Sequence, residues 1–231
     1  MPPLRTLLLP LLLLSQMPRS GLGQEKLPLV EVPAAGPVGP MFAFMISGDG
    51  NWTAATGDIA GTLAEHGIPV VGLKARDYLA RKRTPDEVAG DVEGVLRSYL
   101  QRWGDCEIVL IGYSRGAVMM PFVANRLSPD LRDKIRMVAL LGPTEYASFE
   151  FHMIDLVRDV RRTSDLPLLP EVERMVWTDV LCVYGDDEKD SLCESAPSGL
   201  MRVVRREGGH RIHDGASVGA IVLDALKLPT G

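Results

Sequence analysis

Short apolar runs recur along this chain, and most are followed by a stretch with helical spacing. Met41 to Ile46, Pro69 to Leu73, Glu107 to Ile111, Ile135 to Leu141, Val180 to Tyr184 and Met201 to Arg205 are the runs. Thr53 to His66, residues 84–103, about Arg115 to Leu127, and Ala216 to Leu226 carry apolar residues at helical intervals. A strand that is apolar on both faces must be covered on both faces. This alternation therefore predicts an α/β protein whose mostly parallel sheet has helices on each side. Sites in such sheets form where loops leave the carboxyl ends of the strands.

At 231 residues the chain is long enough for one domain with a sizeable core and too short for two full ones. Residues 41–231 are expected to form that domain. Residues 24–40, rich in Pro and Gly, read as a linker or an irregular first strand. Thr84 and Glu87 have the spacing of a capping box, with Pro85 in the first turn of the long helix that follows. Residues 143–178 break the rhythm with aromatic, acidic and Pro-rich pieces, and are expected to form a small lid insertion.

The amino end reads as a targeting segment. Arg5 precedes the apolar run Leu7 to Leu14, and Gly21 and Gly23 supply small residues for cleavage before Gln24. The run is short for a membrane span and Pro10 interrupts it, so residues 1–23 are expected to be a signal peptide. The periplasm is the expected destination. The chain has 25 Lys and Arg against 30 Asp and Glu, and loss of Arg5 and Arg19 with that segment leaves the remainder more acidic still. That balance argues against nucleic acid as a partner. Of the three cysteines, Cys182 in a strand-like run and Cys193 in the loop after it are expected to pair in an oxidising compartment. Cys106 is left over.

Gly112-Tyr113-Ser114-Arg115-Gly116 fits the pattern G-x-S-x-G. The pentapeptide is weak alone, but it lies directly between an apolar run and a helical pattern, the strand–turn–helix setting of a nucleophile elbow. Glycines there let strand and helix approach while the serine hydroxyl projects above the sheet. The motif in this setting predicts the α/β-hydrolase fold with Ser114 as nucleophile.

A serine hydroxyl needs a base. His66 falls near a helix end and His152 in the irregular insertion, whereas His210 follows Gly208-Gly209 after the last run. His210 therefore has the late position of the base in the order Ser, acid, His. His213 is its neighbour, but no third ligand suggests a metal, and no cofactor is expected. The acid should follow the run Val180 to Tyr184, where Glu188 and Asp190 both stand. Counting from Gly185 favours Glu188. The residues that follow favour Asp190, which is taken as the acid, to fix the imidazole tautomer. The oxyanion donors are expected at the backbone N–H of Arg115 and in the loop after Met41 to Ile46, at Asp49, flanked by Gly48 and Gly50.

Further motifs extend beyond the elbow. They include Ser47-Gly48-Asp49-Gly50 with Trp52, Arg83-Thr84-Pro85, Leu110-Ile111-Gly112-Tyr113-Ser114 and Asn125-Arg126-Leu127. Phe149-Glu150 with His152, Tyr184-Gly185 through Asp190-Ser191 and Cys193, and Gly208-Gly209-His210 complete the set. Together they resemble the bacterial virulence protein VirJ/AcvB family over nearly all of the chain after its leader. Asn51 stands where that family tends to have Gly, and Arg211 where it tends to have His.

The resemblance implies a periplasmic hydrolase that acts on aminoacylated phosphatidylglycerol, such as the lysyl lipid, and so meets a membrane surface. A lysyl group calls for carboxylates near the ester, for which Asp49, Glu150 and the unused acid of 186–190 are candidates. Phe149, Phe151, Met153 and Trp177 are candidates for an apolar lid over a lipid. Two other classes fit the same residues: a general esterase or thioesterase for a small acyl substrate, and a binding protein with a secretion-system partner.

Overall fold

The computed structural model describes residues 26–156 and 160–227. The expected signal peptide, residues 1–23, lies outside them. Seven strands form one sheet: β1 (Leu29–Val32), β2 (Met41–Ile46), β3 (Val70–Leu73), β4 (Glu107–Tyr113), β5 (Ile135–Leu141), β8 (Asp179–Gly185) and β9 (Arg202–Arg206). Their spatial order is β1-β3-β2-β4-β5-β8-β9, and every neighbouring pair is parallel except β1 with β3. β1 lies inside the segment that reads as a linker or irregular first strand. It is four residues long and half-buried at the sheet edge.

The alternation within each strand divides the core. Phe42, Phe44 and Ile46 of β2, with Ile108 and Leu110 of β4 and Val138 and Leu140 of β5, point to one face. There they meet α3 (Pro85–Trp103) through Val88, Val92 and Leu96, and α4 (Arg115–Ala124) through Met119, Met120 and Phe122. Ala43 and Met45, Val109 and Ile111, and Met137, Ala139 and Leu141 point to the other face. That face is covered by α1 (Ala54–Glu65) and α8 (Gly215–Lys227) through Ile59, Leu63, Val218 and Val222. Each large apolar side chain taken fully out of water contributes about 1.5–3 kcal/mol, which is why both faces of β2, β4 and β5 read as unbroken apolar sequence.

The ends of α3 and α4 follow local chemistry. Thr84 accepts from Glu87 N–H at 3.2 Å and Glu87 accepts from Thr84 N–H at 2.7 Å, closing the capping box. α4 ends at Ala124, short of the expected Leu127. Pro121 removes one helical N–H, and Asn125 caps the end by donating its backbone N–H to the Pro121 carbonyl.

Between β5 and β8 lies the insertion. Two-residue strands β6 (Tyr146–Ala147) and β7 (Leu166–Pro167) pair antiparallel, with a 3₁₀ turn at Met153–Leu156 and the short helix α6 (Leu169–Glu173). The expected apolar lid is only partly an outer surface. Phe149 is buried edge-on against Phe122 at 5.3 Å, and Phe151 and Trp177 pack against the core. Met153, by contrast, is exposed. Cys182 on β8 and Cys193 on α7 (Leu192–Ser195) are joined by a disulfide, and Cys106 is free and buried.

Candidate active site

The turn from β4 into α4 is as tight as steric contact permits. A Cβ at Gly112 would lie 2.3 Å from the Gly116 carbonyl oxygen, and one at Gly116 would lie 2.0 Å from the Ile46 carbonyl oxygen. No side chain fits at either place, so both motif glycines are required by close approach. Between them Ser114 takes φ 52° and ψ −112°, a conformation rarely adopted by a non-glycine residue. Hydrogen bonds hold it there. Ser114 N–H donates to Leu141 O at 2.9 Å, and Gly116 N–H donates to Ser47 O at 3.1 Å. The elbow is thereby tied to the strands on both sides.

The hydroxyl so displayed meets the expected base. Ser114 Oγ lies 2.8 Å from His210 Nε2. On the other side of the ring, His210 Nδ1 lies 3.0 Å from Glu188 Oε2. The acid is therefore Glu188 by position, and the expectation of Asp190 is corrected. Glu188 sits in the turn closed by its own N–H to Gly185 O at 3.0 Å, and its Oε1 accepts Gly185 N–H at 2.6 Å. That turn aims the longer side chain back over the sheet, and its carboxylate is 6 % exposed. Asp190, two residues on, is exposed on the rim of the cavity around Ser114, and Glu188 holds the place beside His210 Nδ1. Burial pushes the Glu188 carboxyl up. The hydrogen bonds from His210 and Gly185 N–H, with the charges of His210 and Arg206, outweigh it and hold the carboxyl below the ordinary glutamate value.

A profile of the family described as bacterial virulence protein (VirJ) matches residues 40–229. The chain belongs to the VirJ family. Solved structures resemble it at low identity. Over 85 % of this chain and 91 % of the other, an esterase domain from Rhodothermus marinus aligns with TM-score 0.59 and 15 % identity. An alpha-beta serine hydrolase homologue from Coxiella burnetii covers 86 % and 90 % with TM-score 0.59 and 17 % identity. The lipase BlEst2 from Bacillus licheniformis covers 87 % and 98 % with TM-score 0.62 and 12 % identity. At such identities the likeness shows the fold, which is that of the α/β-hydrolases.

The loop after β2, where the sequence puts the second oxyanion donor of this VirJ-family chain, lies beside the nucleophile. A Cβ at Gly48 would be 3.1 Å from Ser114 Cβ and 3.6 Å from Ser114 Oγ, so the loop after β2 touches the nucleophile. Asn51 in the same loop has φ 64°, the left-handed region that glycine favours and asparagine tolerates. The Asn51 side chain donates to Asp77 Oδ1 at 2.7 Å, bracing the loop.

The side chains of the two expected oxyanion residues meet each other. Arg115 Nε and Nη2 donate to the Asp49 carboxylate at 3.0 and 2.9 Å. Asp49 is therefore bound to an arginine and is not a free carboxylate for a cationic group. Glu150 lies 3.7 Å from His152 and is not among the residues lining the cavity around Ser114. That cavity holds about 850 Å³, and its rim includes Asp187, Lys189, Asp190, Arg211 and His213. No group of three or more His, Cys, Asp or Glu among the described residues is placed to hold a metal ion.

Three residues near the triad were not singled out from sequence. The Tyr113 ring stacks on His210 at 6.3 Å, and its hydroxyl accepts Ile212 N–H at 3.3 Å. Arg206 donates to the Gly209 carbonyl and lies 3.8 Å from Glu188, bridging the base and acid loops. Asp155, from the insertion, reaches Arg115. Tyr113 at least lies in a recognisable motif. No sequence pattern distinguishes Arg206 or Asp155 from surface charges.

Proposed function

We infer that this protein is a carboxylic ester hydrolase with Ser114 as nucleophile, His210 as base and Glu188 as acid. The observation that carries this reading is the continuous chain Ser114 Oγ–His210–Glu188, with contacts of 2.8 and 3.0 Å, at a strained elbow. Ser114 attacks the ester carbonyl and passes its proton to His210 Nε2. The tetrahedral oxygen is received by the backbone N–H groups of Arg115 and Asp49. As the ester bond breaks, His210 gives the proton to the departing alkoxide. Water then attacks the acyl group, loses its proton to His210, and releases the acid as Ser114 is restored. Glu188 holds Nδ1 protonated throughout, so that Nε2 faces the hydroxyl as an acceptor.

The substrate is an aminoacyl ester of phosphatidylglycerol, cleaved at the outer face of the inner membrane in the periplasm. Membership of the VirJ family and an amino end with leader character support this. So do Asp187 and Asp190, exposed carboxylates on the cavity rim with no ion-pair partner among the described residues. They replace Asp49 and Glu150 as the groups to receive a cationic acyl chain, and Lys189 and Arg211 share the rim with them.

The test is to label purified protein with a fluorophosphonate and to measure free amino acid released from aminoacylated lipids beside short-chain esters. Labelling at Ser114 with release from the lipid supports the whole reading. Labelling with turnover of short esters alone removes the lipid substrate and keeps the hydrolase. A protein that neither labels nor turns over any ester overturns the reading and leaves a binding role, such as one toward a secretion partner.

A further inference from the structure

The β5–β8 insertion contributes a buried carboxylate to the heart of the site. Asp155, at 2 % side-chain exposure, accepts from Arg115 Nη2 at 2.9 Å. It is gripped from its other side by Arg162 at 2.6 and 3.3 Å. The same Arg115 nitrogen donates to Asp49 at 2.9 Å, while Nε reaches both Asp49 oxygens at 3.0 and 3.3 Å. Arg115 is 7 % exposed and Asp49 18 %. One guanidinium therefore joins three segments far apart in sequence: the elbow, the loop after β2 and the insertion.

Buried charge costs desolvation, and such clusters persist where the pairs are geometrically well satisfied. Two of these residues also carry the backbone N–H groups assigned to the oxyanion hole. The guanidinium–carboxylate fork ties together the side chains of the two residues that carry those donors. Its planar, bidentate geometry restricts the movement of one loop against the other more than flexible loops by themselves would.

We propose that Asp155 is a positioning residue for the oxyanion hole. Through Arg115 it holds the Asp49 loop and the elbow at the spacing the tetrahedral intermediate requires. The insertion is thus part of the catalytic frame as well as a cover. This inference rests on the ester-hydrolase reading. Removing one oxyanion donor outright lowers turnover by about 10²–10³, so a donor that is displaced and still present should cost about tenfold.

The test compares wild type, Asp155→Asn, Asp49→Asn and the double variant on a p-nitrophenyl ester, with phenylboronic acid as inhibitor. Boronate adds to the serine and places an oxygen in the oxyanion hole. Its affinity therefore follows donor geometry, which a loss of stability alone does not mimic. The expected result is a fall of about tenfold in kcat for each single variant, KM within about twofold, and a matching loss of boronate affinity. The double variant should be little worse than either single one, because both act through the same guanidinium. If Asp155→Asn does not fold, Asp155→Glu, which keeps the charge and displaces it, carries the same comparison. Unchanged kcat, a loss confined to KM, unaltered boronate affinity, or multiplicative effects in the double variant would overturn the proposal. A wild-type protein inactive on the ester and unlabelled by fluorophosphonate would instead overturn the esterase reading, and this inference with it.

Discussion

Replacing Glu188 by Gln changes one atom's chemistry at nearly constant shape, and its consequence follows from contacts at both ends of the carboxylate. Oε1 accepts Gly185 N–H at 2.6 Å and Oε2 faces His210 Nδ1 at 3.0 Å. A carboxylate accepts at both places. An amide accepts at one only. The backbone N–H of Gly185 is a fixed donor, so the amide oxygen must turn to it and the NH₂ must face His210. The imidazole then carries its proton on Nε2 and points a donor at Ser114 Oγ, which is the wrong tautomer for a base. The corresponding change in serine proteases lowers turnover by about 10⁴, equivalent to about 5 kcal/mol at about 1.36 kcal/mol per tenfold. Asp190→Asn should stay within a few-fold of wild type, since Asp190 is exposed and has no hydrogen bond to His210 among the described residues. Steady-state hydrolysis of an activated ester by the two purified variants decides the matter. If Asp190→Asn proves the more damaging, or Glu188→Gln stays within tenfold of wild type, the tautomer argument is wrong.

Further outcomes follow from the same geometry. Ser114→Ala should abolish ester turnover and fluorophosphonate labelling with little change in melting temperature, because the hydroxyl is exposed to the cavity and both glycines stay in place. The Cys182–Cys193 bridge spans 11 residues and encloses the Glu188 turn. Cys193→Ser should therefore cost about 3 kcal/mol in urea unfolding and lower turnover together with stability. Glu188 has a carboxyl held below its ordinary 4.5, so its contribution to stability is complete above that value and is lost as pH falls through the lowered one. Unfolding titrations from pH 6 down to about pH 3 should show that loss in wild type and a flatter profile in Glu188→Gln. Thr84→Ala should remove the cap of α3 and cost about 1 kcal/mol by thermal melting.

The sheet was legible because burial on both faces leaves little freedom in composition. β2, β4, β5 and β8 fall within two residues of the apolar runs that predict them. β1 was harder, being a four-residue edge strand with one partner and prolines nearby, so its sequence carries almost no periodicity. The serine and the histidine were legible for a related reason. Each is bound to a local pattern, the paired glycines at the elbow and Gly208-Gly209 before His210. The acid was not, because a loop with six consecutive polar or charged residues, Asp186 to Ser191, offers several side chains and the sequence does not state how the turn is wound. The Gly185–Glu188 hydrogen bond decides it, and nothing short of coordinates reveals that bond. The Arg115–Asp49–Asp155 cluster was least legible of all. Its members are 66 and 40 residues apart, and each reads as an ordinary charge until the chain is folded.

The contact between Gly116 and the carbonyl of Ile46 bears on how such a scaffold can change over time. A side chain at Gly116 would push back the strand whose next residues form the Ser47–Gly50 loop, so nucleophile and loop cannot drift separately. Mutational searches for new substrates should find the carboxyl ends of the central strands β2 and β4 nearly silent. The tolerated variation should collect instead at solvent-facing positions of the insertion between β5 and β8, such as Met153 and Ile154, whose exposed side chains are no part of the buried sheet or of the Asp155–Arg115 contact beside them.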